Sequence, residues 1–242
     1  GQPQRFARSL ARCFKCCGTM KLSVIVPVLN EATGVPELCA HLMPYARQGV
    51  EVLLVDGGSE DGTGELVECL GFRLIRSPRG RALQMNSGAA TASGDVLLFL
   101  HADTRLPSGV LERLHSRVAK VHDWGRFDVR IEGRPAMLKL VAWLMNWRSR
   151  LTGIATGDQA MFMTRAAFDA VGGFPSQPLM EDIEMSSRLC RLARPLCLAD
   201  RVVTSGRRWE QHGLWRTIFL MWRLRWAYWR GVPASQLAKA YR

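Results

Sequence analysis

The residues that could do chemistry in this chain stand where apolar runs stop. Asp103 follows the run Asp95–Leu100 (DVLLFL). A carboxylate in that position is held rigidly, and with a divalent cation it could neutralise the charge of a bound nucleotide diphosphate. The same carboxylate could instead cap a helix over 106–121 or shape a turn. Asp56 follows a second run, Val50–Val55 (VEVLLV), inside DGGSEDGT. It could accept hydrogen bonds from a base or from ribose hydroxyls, with Gly57 and Gly58 allowing close backbone approach. A tight turn leading into a helix would use the same residues. Glu181 and Asp182 open a helix pattern after Gly172–Pro178. One carboxylate there could take the proton of an attacking hydroxyl, although acids also suit a helix N-terminus for its dipole alone. Arg207, Arg208 and Trp209 follow the last apolar run. Two guanidiniums can grip a diphosphate and an indole can stack on a sugar or base, or the trio is a surface patch.

These groups need elements to position them. Leu22–Val28 (LSVIVPV) is a near-continuous β-branched run, the pattern of a strand buried on both faces. Helical patterns over 36–47, 61–70 and 81–92 alternate with strand patterns over 50–55, 72–76 and 95–100, with Asp61 or Thr63 a candidate N-cap for the second helix. That alternation predicts an α/β fold with a mostly parallel central sheet. Ligands bind such sheets at the carboxyl ends of strands near a topological switch point, where Asn30, Glu31, Asp56, His101 and Asp103 stand. Further along, helices are expected over 107–121, 135–147, 165–170, 181–192 and 216–230. A strand or hairpin is expected over 125–133, and strands over 160–164 and 195–204. Neither a dinucleotide fingerprint of the G-x-G-x-x-G type nor a P-loop is present.

The 242 residues are 48% hydrophobic, enough for one sizeable core. The net charge of +12, mostly arginine, suits phosphate-bearing partners or a membrane surface, and an arginine-rich solvated surface would give the same balance. The polar residues cluster at strand ends rather than along a basic face, and no nucleic-acid-binding motif is present, so no nucleic-acid partner is expected. Seven cysteines, an odd and scattered set, point to a reducing compartment. Cys13, Cys16 and Cys17 lack a second ligand pair for zinc. Residues 1–19 read as a basic extension expected to be mobile, 20–210 as the main domain, and 211–242 as an aromatic and basic helical segment. No run reaches the roughly 20 apolar residues of a membrane span. Trp215–Trp229 (WRTIFLMWRLRWAYW) could lie in a membrane interface or pack on the core with its arginines exposed. A cytoplasmic location follows, with peripheral attachment to the inner face of the cytoplasmic membrane as its variant.

The order of these segments resembles the family 2 glycosyltransferases of the GT-A fold. VIVPVLNE (Val24–Glu31) is similar to that family's opening strand and donor-site loop, and DGGSEDGT (Asp56–Thr63) to its base- and ribose-binding segment. FLHADT (Phe99–Thr104) stands at its D-x-D motif. VGGF (Val171–Phe174) with MEDIEMSSRL (Met180–Leu189) is similar to its acceptor loop and base helix, and RRW (Arg207–Trp209) to its late arginine–tryptophan element. The HADT, GDQ (Gly157–Gln159) and RRW variants resemble a small bacterial subgroup, the radical-SAM/selenodomain-associated glycosyltransferases. The resemblance implies a nucleotide-sugar donor, UDP- or GDP-linked, and a Rossmann-like fold. Pro27, Asn30, Glu31, Asp56 and His101 would serve the donor, and Arg81 would lie near its diphosphate or ribose. Asp103 would bind Mn²⁺ or Mg²⁺. Gly157, Asp158 and Gln159 would line the sugar or acceptor pocket, and Arg207, Arg208 and Trp209 would hold the leaving diphosphate. Asp182, with Glu181 beside it, would be the general base of an inverting transfer to an acceptor, for which a lipid-linked molecule would suit the aromatic helix. Two positions depart from the pattern. His101 replaces the first acid of D-x-D, which leaves room for a catalytically inactive nucleotide-binding module, and Gly57 stands where many relatives have a second acid.

Overall fold

Strand β1 (Leu22–Val28) is buried on both faces, as its branched residues require when helices cover a sheet on each side. In the computed structural model, which describes residues 20–134, 137–207, 210 and 213–241, β1 lies between β2 (Glu51–Asp56) and β4 (Val96–Phe99) and is parallel to both. Strand β3 (Arg73–Arg76) extends the parallel set beyond β2. Period-2 alternation assigns the two faces. Val24, Val26, Leu54 and Leu98 pack with α1 (Val35–Arg47), α2 (Thr63–Cys69), α4 (Val110–Arg117) and α5 (Met137–Thr152). Their odd-numbered neighbours Ile25, Leu53, Val55 and Leu97 pack with α3 (Arg81–Thr91), α6 (Arg165–Ala170) and α7 (Glu181–Cys190).

The sheet continues through β7 (Met161–Thr164), antiparallel to β4, and β6 (Trp124–Glu132), antiparallel to β7. It ends with β8 (Leu196–Ser205), parallel to β6, and the two-residue β5 (Thr104–Arg105), antiparallel to β8. The order is β3-β2-β1-β4-β7-β6-β8-β5. The chain steps outward from β1 to β3, then crosses back to place β4 on the other side of β1, so the switch point lies between β1 and β4. Their pairing ends at Ile25 opposite Phe99, whereas β1 and β2 stay paired to Val28 opposite Asp56. The strands part there, and Pro27, with no N–H to give, lies in the parted stretch.

Several expectations are corrected. The helix expected over 107–121 covers only Val110–Arg117, because Gly109 starts it at φ 73° and Val118 leaves it extended. Asp103 therefore caps no helix. Of the strand or hairpin expected over 125–133, the strand forms, as Trp124–Glu132. Neither Asp61 nor Thr63 is the N-cap of α2. Gly62 holds that position in the left-handed region, and Asp61 instead accepts from the Thr63 N–H and hydroxyl. Two further helices follow, α8 (Leu214–Trp229) and α9 (Ala234–Tyr241), within the helical segment expected over 211–242. Residues 1–19, with the cysteine cluster and the expected tail, lie outside the described residues.

Candidate active site

The carboxyl ends of β1 and β2 are laced together by the DGGSEDGT segment. Asn30, at φ 53°, donates its N–H to Ser59 Oγ at 2.9 Å and accepts at Oδ1 from the Glu60 N–H at 3.0 Å. The Glu31 N–H donates to Thr63 Oγ1 at 2.9 Å and the Ala32 N–H to Asp61 Oδ2 at 3.0 Å. Asp56 is buried and accepts from both the N–H and the hydroxyl of Ser59. Ser59, Asp61 and Thr63 thus act as a brace that shapes the loop after β1. Gln84 of α3 crosses beneath, with Nε2 donating at 2.8 Å to the carbonyls of both Val28 and Val55. A Cβ on Gly57 would stand 2.9 Å from Gln84 Cδ, so a second acid at this position would have to displace the Gln84 side chain.

Beyond β4 the chain turns through His101–Asp103, closed by the Thr104 N–H on the His101 carbonyl at 3.0 Å. Asp103 is exposed, with one contact from the Thr104 hydroxyl at 3.3 Å. Burial pushes the Glu31 carboxyl above the ordinary range. Arg207 opposes that shift, while Asp103 and Asp61 add to it. These four charged groups therefore share one electrostatic neighbourhood at the ends of β1 and β4. Among the described residues no three His, Cys, Asp or Glu side chains converge as a cation cage. The donor set nevertheless fits Mg²⁺ or Mn²⁺ in the manner those ions use with nucleotides, one or two carboxylates plus ligand phosphates. His101 is turned elsewhere. Its Nδ1 meets Asp158 Oδ1 at 3.2 Å, and its Nε2 would lie 2.2 Å from a Cβ on Gly157.

That contact leads to the second half of the site. Gly157, Asp158 and Gln159 form a 3₁₀ turn closed by a reciprocal cap between Thr156 and Gln159. The Gly157 N–H donates to Asp182 Oδ2 at 2.9 Å, and Asp182 Oδ1 accepts from the Ile183 N–H at 2.8 Å. Asp182 stands in the first turn of α7, which has no side-chain cap and starts from Met180 held at φ 63°, a strained conformation for a non-glycine residue. Burial raises the Asp182 carboxyl to about 6, and the neighbouring Glu181 adds to the rise. The Gly157 and Ile183 N–H groups and Arg81 oppose it. Arg81 Nη1 lies 3.5 Å from Glu181 Oε1. Arg81, His101, Gly157, Glu181 and Asp182 line one crevice, floored by Phe99, Met161 and Phe174. The VGGF loop (Val171–Phe174) is fixed by Asn86, whose amide exchanges two hydrogen bonds with the Phe174 backbone at 2.8 and 2.9 Å.

The residues singled out from the sequence thus fall into two groups joined by His101. Pro27, Asn30, Glu31, Asp56, Asp103 and Arg207 belong to the strand-end group, and Arg81, Gly157, Glu181 and Asp182 to the crevice, with Asp158 joined to it through His101. Gln159 is not a lining residue. It is fully buried, and its amide is engaged with Thr156 and Asn146. Arg81 is an ion-pair partner of Glu181. Arg208 and Trp209 lie outside the described residues. Sequence reading missed Gln84, Ser59 and Thr63 as braces, and it missed Arg148 of α5, whose guanidinium feels the Asp182 charge. Arg148 sits in an apolar helix pattern with nothing local to mark it.

Comparison with known proteins follows the same lines. The family model described as glycosyl transferase family 2 matches residues 23–169, more than half of the chain. An undecaprenyl-phosphate 4-deoxy-4-formamido-L-arabinose transferase of Pseudomonas aeruginosa is 30% identical over 146 residues, 55% of this chain and 41% of that protein. A beta-monoglucosyldiacylglycerol synthase of Synechocystis is 26% identical over 209 residues, 75% of this chain and 43% of the relative. A mannosyltransferase from Pyrobaculum calidifontis, solved with GDP-Man and Mn²⁺, superposes with a TM-score of 0.63 at 19% identity, over 92% of this chain and 68% of that one. The chain spans less than half the length of these two curated relatives.

Proposed function

This chain belongs to glycosyl transferase family 2, and from that premise we propose that it moves a sugar from a UDP- or GDP-linked donor to an acceptor hydroxyl, with Asp182 as the general base. The observation that carries the proposal is the setting of Asp182. It is a carboxylate raised to about 6, fixed by two backbone N–H groups in a crevice, where it is a stronger base than a solvated aspartate and still ionised near neutral pH. The acceptor oxygen attacks the anomeric carbon as its proton passes to Asp182. The bond from that carbon to the diphosphate breaks with its electron pair on the leaving group, and the centre inverts. Asp103 would hold Mn²⁺ or Mg²⁺ together with the donor phosphates, and the cation would neutralise charge on the departing diphosphate. Arg207 would face the same charge. Asp56 and the braced loop of Asn30 and Glu31 would receive the nucleoside. The superposed mannosyltransferase, whose fold this chain shares, was solved with GDP-Man and Mn²⁺, which supports a GDP-linked donor and that cation. The subgroup placement rests on the HADT, GDQ and RRW variants. A melting-temperature screen with UDP and GDP, each with and without Mn²⁺, tests the reading. One nucleotide should stabilise the chain, more so with Mn²⁺, and no shift with either would sink it. Nucleotide binding without turnover of any donor would favour the inactive-module alternative.

A second reading, that the acceptor is lipid-linked and the chain works at the inner face of a membrane, is favoured by α8. One face of this helix packs through Leu224 against Met180 and Leu237. The other presents Trp215, Phe219, Trp222, Trp226 and Trp229 at i, i+4, i+7, i+11 and i+14, each 60–81% exposed. Helix α5 presents a similar stripe of Leu140, Trp143, Leu144, Trp147 and Leu151. Tryptophan stripes with flanking arginines suit a bilayer interface. Among the described residues no helix is long and apolar enough to cross a membrane. The relatives that act on undecaprenyl phosphate and diacylglycerol lipids support this reading. Vesicles containing anionic lipid should sediment the intact chain and release a Trp222→Glu/Trp226→Glu variant. Equal sedimentation of the two would remove α8 from the reading.

A further inference from the structure

The turn that presents Asp103 is anchored by a ladder of side chains on α1. Glu37, His41 and Tyr45 stand at i, i+4 and i+8, along one face of that helix. They engage three consecutive residues of the segment that leaves the turn. Glu37 Oε1 lies 3.2 Å from Arg105 Nη2. His41 Nε2 accepts the Leu106 N–H at 2.9 Å. The Tyr45 hydroxyl points at the carbonyls of Leu106 and Pro107, at 3.3 and 3.0 Å. Leu106 is buried, so its peptide groups need partners from the chain. Strand β5 holds only two residues and gives this segment few rungs, and α1 supplies what the sheet does not.

The central rung has a chemical requirement. An imidazole nitrogen accepts a hydrogen bond only when it carries no proton, so His41 is neutral with its proton on Nδ1. Burial favours that form and Arg105 adds to the preference, against Glu37. The anchorage reaches Asp103 through Arg105, whose Nη1 donates to the Ala102 carbonyl at 3.0 Å. On the other side of Asp103, the Thr104 N–H closes on the His101 carbonyl at 3.0 Å, and the buried Thr104 hydroxyl meets that of Thr204 at 3.1 Å. The chain is thus held on both sides of Asp103 while its carboxylate stays exposed. That is the build of a ligand whose aim comes from its backbone. Helix α1 also begins at the loop after β1, where the Gly34 and Val35 N–H groups donate to the Glu31 carbonyl at 2.8 and 2.9 Å. One helix therefore ties the loop of Asn30 and Glu31 to the Asp103 turn.

We infer that His41 and Tyr45 are positioning residues for Asp103, gripping the Leu106 and Pro107 backbone so that its carboxylate is held ready for a nucleotide-bound divalent cation. The inference rests on the metal reading of Asp103 and goes beyond it by naming what aims the carboxylate. The test is calorimetric titration of the full chain with UDP and with GDP, each in Mn²⁺ and in EDTA. The wild type should bind one of the nucleotides more tightly in Mn²⁺. In His41→Leu that gain should shrink about tenfold or more, as when the support of a metal ligand is removed, while the affinity in EDTA stays at the wild-type value. His41→Gln, whose amide oxygen can accept where Nε2 does, should keep the gain. Tyr45→Phe, which keeps the ring and drops the hydroxyl, should lose part of it and carries the readout if His41→Leu fails to fold. An undiminished gain in His41→Leu or Tyr45→Phe, equal weakening of either in Mn²⁺ and in EDTA, or loss of the gain in His41→Gln would each overturn the proposal. Asp103→Asn separates the two levels. Its loss of the gain, with retention in His41→Leu, removes the ladder alone. Retention in Asp103→Asn, or a wild type indifferent to Mn²⁺, removes the metal reading and the proposal with it.

Discussion

The Gly157 N–H donates to Asp182 Oδ2 at 2.9 Å, and this single bond ties the turn after α5 to the carboxylate at the head of α7. The turn is in turn pressed on by His101, whose ring occupies the space that any side chain on Gly157 would need. His101 therefore links the end of β4, where donor charge is expected to lie, to the base. It does so by packing and not by bringing a negative charge, which gives the altered D-x-D motif a structural use.

Gly157→Ala should cost activity without unfolding the chain. Its Cβ would collide with His101 Nε2, so either the imidazole or the 157–159 turn must move, and Asp182 loses its aim. A displacement on that scale lowers kcat by about a hundredfold. The double variant Gly157→Ala/His101→Ala should recover part of the loss, because the collision is gone. Strictly additive losses in a double-mutant cycle would refute the coupling.

The pH dependence follows from Asp182. Proton abstraction needs it ionised, so kcat should rise with pH through about 6 and level off above. Stability runs the other way. Between the ordinary aspartate range and about 6 the native state retains a proton that the unfolded state has released, so stability falls as pH rises across this window. The penalty is fully present above about 6 and absent below the ordinary aspartate value. Asp182→Asn should flatten that segment of a melting-temperature profile, and an unchanged slope would contradict the assignment.

The brace between the β1 and β2 loops should set donor affinity. Ser59→Ala and Thr63→Val each unhook a backbone N–H of the loop after β1, at Asn30 and Glu31 respectively. Each should cost about 0.5–1.5 kcal/mol of stability. Nucleotide Kd and donor KM should rise together while kcat holds, because neither residue lies in the crevice of Asp182. A fall in kcat at unchanged KM would show that the brace serves the chemistry instead.

What the sequence disclosed divides along physical lines. Leu22–Val28 is read from its residues to its observed bounds, because a strand buried on two faces announces itself as an unbroken apolar run. Asp182 and Asp103 could be singled out for a related reason, as carboxylates placed where such runs end or a helix begins, but their roles came from the family resemblance. Gln84 was not. Its value lies in reaching two carbonyls 56 and 29 residues away, and nothing local encodes that. Gln159 was placed with Gly157 and Asp158 by the resemblance, yet only Gly157 lines the crevice, because successive residues of a tight turn face different ways. Arg81 was assigned from the family resemblance alone, and its partner Glu181 is visible only once the chain has closed. Arg148 carries the same limit furthest, since only tertiary burial distinguishes it from the arginines of a solvated helix face.

The most direct test of the account is the Asp182→Asn variant, assayed for both nucleotide binding and sugar transfer. Removal of a positioned general base should lower kcat by about 10²–10⁴-fold while the stabilisation by the nucleoside diphosphate stays at its wild-type value. Transfer at the wild-type rate would show that another group takes the proton and that the setting of Asp182 serves only the fold.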